Sequence, residues 1–140
     1  MTAIALSLLA TVLLMVWMGF FALGSLPLLV LNHDTPLDAR FIRGLFNVYY
    51  LAATFTGFAA SLAYVWAGMP GFAIGTGCIA ALAFSLRRWF IIPRMDALRA
   101  TMTATDRVGI LRFRLLHIGG MLLNVVQLGT LAWSLTKLKL

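Results

Sequence analysis

Four long, predominantly apolar stretches dominate this chain, at residues 3–31, 45–67, 71–92 and 115–136. Each is long enough to cross a hydrocarbon core of about 30 Å as a helix, which takes roughly 20 residues. Such stretches have no place in a water-soluble domain, and the composition agrees: 62% of the 140 residues are hydrophobic, 11% are charged and the mean hydropathy is +0.98. The expected fold is all-α, a polytopic four-transmembrane-helix bundle occupying residues 1–140 as a single membrane domain. The sequence contains no Glu, and its charges gather in a few places, so a disordered or polyampholytic chain is excluded.

Charge placement predicts an orientation. Nine Arg residues, at positions 40, 43, 87, 88, 94, 99, 107, 112 and 114, fall in or beside two connections on one side, against Lys137 and Lys139 on the other. By the positive-inside bias the Arg-rich side is cytoplasmic, both termini lie outside, and residues 67–71 form a short outer turn. Trp66, Trp89 and Trp133 fall at the span ends, where aromatic belts belong. The first apolar run is too long for a signal peptide and has no basic leader, so it reads as a retained helix. With neither long loops nor a targeting segment, this layout fits a bacterial inner membrane. The net charge of +7 points to anionic lipid rather than nucleic acid, with Arg112 and Arg114 as headgroup contacts. Membrane lipids, a second copy of the chain or a membrane-complex partner are the expected neighbours.

Local signals mark the connections. Thr35-Pro36-Leu37-Asp38 has the spacing of a helix start, and Thr105-Asp106 can cap the fourth span. After Pro93, residues 94–104 can form a short helix, with Asp96 and Arg99 paired at i, i+3. Pro27, in Gly24-Ser25-Leu26-Pro27, should bend or partly unwind the first span.

Polar residues inside apolar spans show which helix faces look inward. On the second span Asn47, Tyr50, Thr54, Gly57, Ser61 and Tyr64 recur at spacings of three and four, a stripe that either packs through interhelical hydrogen bonds or lines a wet cavity. On the third, Gly71 and Gly75 form a GxxxG that Gly77, Ala81 and Ser85 extend, a face suited to packing against a neighbour. The fourth presents His117, Met121, Asn124 and Gln127 along one face. A histidine about one turn inside the membrane can hydrogen-bond structurally, shuttle a proton, or ligate haem or a metal. His117 with Met121 would suit a soft ion such as Cu(I), although two ligands are few, and His33 is a second cofactor-binding candidate at similar depth. The Gly75-Thr76-Gly77-Cys78-Ile79-Ala80 match to a dinucleotide fingerprint has no strand before it and counts as packing. The single Cys78 offers no disulfide or Cys-based metal site, and paired carboxylates or a hydrolase triad are lacking.

Several of these segments resemble one family. Leu45-Phe46-Asn47-Val48-Tyr49-Tyr50 is similar to its Leu-Phe-x-x-Tyr-Phe motif. Phe113-Arg114-Leu115-Leu116-His117 followed by Asn124 resembles the Phe-x-x-x-His and Leu-x-Asn pattern of the transmembrane protein 205-like family, and residues 92–99 look like its third-helix exit. The resemblance spans about residues 17–128 and implies a four-helix membrane bundle with Asn47, Tyr50, His117 and Asn124 as site residues, but no reaction. More distantly, the layout resembles the copper-resistance D and HemJ-type protoporphyrinogen oxidase group, which implies haem b or copper bound through membrane histidines. Residues 3–24 lack the HemJ-like early histidine, and Leu28 stands where that group has Arg. Three readings follow: a polar His/Asn/Tyr site at the cytoplasmic end that binds a metal, haem or small ligand; a haem- or copper-dependent oxidoreductase; and a structural subunit of a membrane complex.

Overall fold

The computed structural model describes residues 1–30 and 35–138. Among these there is no strand; the chain forms α1 (Thr2–Val30), α2 (Pro36–Trp66), α3 (Pro70–Ser85), a five-residue π-turn (Leu86–Phe90), α4 (Ile91–Thr101) and α5 (Arg107–Leu135). Taken with α4 as one rod, α3 makes the third of four helices long and apolar enough to cross a membrane. This is the architecture of a multi-pass membrane protein. Its outer surface agrees, because large apolar side chains such as Val16, Leu23, Phe55, Phe58, Ile74, Leu122 and Val126 are at least half exposed, a surface that only lipid solvates without cost.

The helix starts follow the local chemistry. Thr35 caps α2: its hydroxyl accepts from the Asp38 amide while the Asp38 carboxylate accepts from the Thr35 amide, and Pro36 occupies the first turn, where a missing donor is not felt. Residues 36–44 and the second apolar stretch are therefore one helix. Asp106 caps α5 by accepting from the Gly109 amide at 3.0 Å, and a Cβ on Gly109 would collide with the same carboxylate. Between α2 and α3 the chain turns through Gly68 at φ 71°, a conformation that costs glycine little.

Pro27 and Pro93 both lie inside helices. α1 is helical through Pro27 to Val30, so the chain does not unwind at the Gly24–Pro27 segment. The short helix expected around residues 94–104 is present as α4, which starts slightly earlier, at Ile91, ends at Thr101 and carries the Asp96–Arg99 pair; Pro93 lies inside it. The third rod continues through Pro93 to Thr101, and the π-turn just upstream widens the backbone where the Pro93 ring would otherwise press on the Trp89 carbonyl.

Packing follows heptad-like spacing. α1 buries Ser7, Thr11, Leu14, Met18, Phe21 and Ser25; α2 buries Ile42, Phe46, Tyr50, Ala53, Gly57, Ala60 and Tyr64. α1 lies along α2, α2 along α3, and α1 also along α5, while α4 bridges α2 and α5 at the Arg-rich end. α2 and α3 approach closely at Gly57, where a Cβ would lie 3.1 Å from the Ala80 Cβ and 3.2 Å from the Thr76 carbonyl oxygen. The small-residue face that packs is thus Ala73, Thr76, Ala80 and Ala83. The expected Gly71/Gly75 face instead looks into open space, since a Cβ at either position meets nothing within 4 Å. Helical spacing identified a small-residue ridge, but Gly57 selects the ridge that carries Thr76 and Ala80.

Candidate functional site

The two halves of the bundle treat buried polar groups differently. Toward the chain termini every buried hydroxyl is paired: Ser7 donates to the Ala3 carbonyl and Thr76 to the Phe72 carbonyl, while Thr11 bonds the Ser7 carbonyl and meets the Tyr64 hydroxyl at 3.1 Å. Toward the Arg-rich end, Ser25 Oγ, Tyr50 OH, His117 Nε2 and both amide atoms of Asn124 are buried without a hydrogen-bond partner among the described residues. Leaving such atoms unpaired costs on the order of 1–3 kcal/mol each. Structural polar groups in apolar surroundings are normally paired, which makes this concentration the candidate site.

Phe46 organises it. Its ring meets His117 edge to face at 5.6 Å, Tyr50 at 5.8 Å and Phe21 at 4.7 Å, and Tyr49 stacks on Phe21 at 4.3 Å. Gly120 makes room for it, because a Cβ there would occupy the place of the Phe46 ring edge. The Tyr49 phenol faces the Asn124 side chain but falls short of hydrogen-bond geometry, which leaves both amide atoms unpaired. Ser25 lies at the depth of His117: Arg114, three residues before His117, donates to the Leu29 carbonyl, four residues beyond Ser25 on the oppositely running α1, at 2.9 Å. A narrow crevice lined by Leu28, Leu29, Ile42, Phe113 and Arg114 reaches His117 from the Arg-rich end, with about 20 Å³ of free volume, room for about one water.

Of the site residues expected from sequence, the fold gathers Tyr50, His117 and Asn124 around Phe46 and Tyr49. Asn47 is engaged elsewhere: its Oδ1 accepts from Arg87 Nε at 3.1 Å, which ties α2 to the π-turn. Met121 and Gln127 flank the α5 face, whose centre is His117, Gly120 and Asn124. Arg112 is exposed, whereas Arg114 reaches inward to α1. His33 lies outside the described residues. Sequence reasoning missed Ser25 and Tyr49; the four-and-three spacing from Ser7 to Ser25 was the available signal for the first.

The fit to a redox cofactor can be judged from the packing. With Phe46 against His117 and only a water-sized void beside it, a haem macrocycle does not fit this arrangement of the bundle. Among the described residues no three His, Cys, Asp or Glu side chains gather, and His117 with Met121 supplies two soft-ion ligands at most. The constellation does offer a donor or acceptor imidazole nitrogen, two hydroxyls and a carboxamide, a set suited to a small polar ligand with donors and acceptors of its own.

Comparison with known protein families, with curated proteins and with solved structures finds no match.

Proposed function

We propose that the protein is a bacterial inner-membrane protein, with its Arg-rich end cytoplasmic, that binds a small polar ligand inside its helix bundle. His117, Asn124, Tyr50 and Ser25 are the contacts, and entry is from the cytoplasmic face along the crevice beside Arg114. The observation that carries this reading is the contrast between the paired hydroxyls of one half and the orphaned polar atoms of the other. A purely structural interior would pair them or replace them with hydrocarbon. Kinship with the transmembrane protein 205-like family belongs to the same proposal and rests on the motif residues 45–50, 113–117 and 124.

The test separates function from stability. If the polar atoms serve a ligand, Tyr50→Phe, Asn124→Leu and Ser25→Ala leave the detergent-solubilised protein as stable as the parent or more so, by up to about 2 kcal/mol, while each fails to restore a strain lacking the chain. Loss of stability together with retained complementation would show the groups to be structural and overturn the reading. His117→Ala in the same assay reports on the central contact. An absorption spectrum before and after dithionite, with elemental analysis, distinguishes a colourless polar ligand from haem or copper.

A further inference from the structure

The ring of helices is open on one side. α3 and α5 do not pack along one another, and in the half nearer the chain termini a groove of about 410 Å³ separates them. Gly71 and Gly75 form one wall and Val126, Gln127, Thr130 and Trp133 the other. At its mouth Lys137 stands 5.4 Å from the Trp133 ring centroid. Asp38, Asp96 and Asp106 all lie at the opposite end of the bundle, and among the described residues no carboxylate pairs with Lys137.

We propose that this groove holds one hydrocarbon chain of an anionic membrane lipid, with the phosphate at Lys137. A groove of about 410 Å³ along the membrane-facing side suits a thin, extended occupant. Length agrees, because Gln127 lies ten residues in from Lys137, about 15 Å along α5, a run suited to much of an acyl chain. Charge decides the headgroup, since an unpaired ammonium beside an indole at the membrane surface favours a phosphate of net negative charge over a zwitterion. The glycines leave the wall flat enough for methylenes to lie against the α3 backbone.

The experiment uses the full chain with Trp17→Phe, Trp66→Phe and Trp89→Phe, which leaves Trp133 as the only indole. The protein is placed in phosphatidylcholine vesicles containing brominated phosphatidylglycerol or, at equal mole fraction, brominated phosphatidylcholine. Lipid in the groove quenches Trp133 with about fivefold preference for phosphatidylglycerol, the factor expected of one cation near the surface. Lys137→Gln removes the preference, and Gly75→Leu, which fills the groove without touching the core, reduces quenching by both lipids. Equal quenching by the two lipids that ignores Gly75→Leu would overturn the proposal. So would crosslinking between copies across α3 that Gly75→Leu abolishes, because the groove would then belong to a second chain.

Discussion

The Arg43 guanidinium holds the Asp96 carboxylate at two points, Nε to Oδ1 at 2.8 Å and Nη2 to Oδ2 at 2.9 Å, and so fastens α2 to α4 at the Arg-rich end. Arg99 adds a longer contact to the same carboxylate at 3.4 Å, the i, i+3 pair expected from sequence, but the interhelical partner has the better geometry. Both groups of the main pair are partly exposed, so solvent tempers its strength. A double-mutant cycle with Arg43→Ala and Asp96→Ala should give a coupling of about 1 kcal/mol that falls as salt is raised. A coupling indistinguishable from zero at low salt would mean that the pairing is incidental to the α2–α4 contact.

Neighbouring glycines on α5 should respond in opposite ways. Gly120→Ala drives a methyl into the Phe46 ring and should cost about 1–3 kcal/mol, with part recovered by Phe46→Leu. Gly119→Ala meets nothing within 4 Å and should be neutral or stabilising by about 0.5–1 kcal/mol, as alanine favours the helix. Thermal unfolding of both variants in one detergent checks the contrast, and similar losses at both sites would refute the placement of Phe46.

Two buried tyrosines on α2 should also behave differently when their hydroxyls are removed. Tyr64→Phe breaks the contact with Thr11 and should lose about 0.6 kcal/mol, the average for an interhelical hydrogen bond in a membrane. Tyr50→Phe removes an unpaired hydroxyl and should lose nothing. Matching losses would show that Tyr50 is structurally bonded.

At the start of α5, Asp106→Ala should cost about 1 kcal/mol through loss of the cap to the Gly109 amide. Asp106→Ser, which can still accept that bond, should recover most of it. Hydrogen exchange at the first turn of α5 reads the effect directly.

Much of this was legible beforehand. The four spans came from apolar run length, and the caps at Thr35 and Asp106 from residue type a few positions ahead of a helix. Tyr50, His117 and Asn124 stood out because polar side chains in hydrocarbon are costly. The pairings of Arg43 with Asp96 and of Arg87 with Asn47 were not legible, since each joins residues 40 or more positions apart and depends on how helices are turned about their axes. Periodicity gives the spacing of a face without its direction, which is why the GxxxG looked like a packing ridge and proved to border an open groove. The site was half read for the same reason: Asn47 shares the stripe with Tyr50 but lies on its flank toward α3.

The π-turn at Leu86–Phe90 works as a phase shifter. Up to Ala83 the buried positions of the third rod follow 73, 76, 80 and 83, a series that an unbroken α-helix would continue through 87, 90, 94 and 97. After the turn the fully buried positions are instead Ile91, Ile92 and Met95, while positions 90, 94 and 97 are exposed, which fits the rotation of about 100° that one inserted residue gives a helix. Phe90 and Arg94 are thereby swung outward and stack on each other at 5.8 Å, while Ile91 and Met95 turn inward. Asp96 owes its reach to Arg43 to this one surplus residue. Removing a single residue from the turn, without altering any side chain that touches α2, would aim the carboxylate elsewhere and unfasten the Arg-rich end.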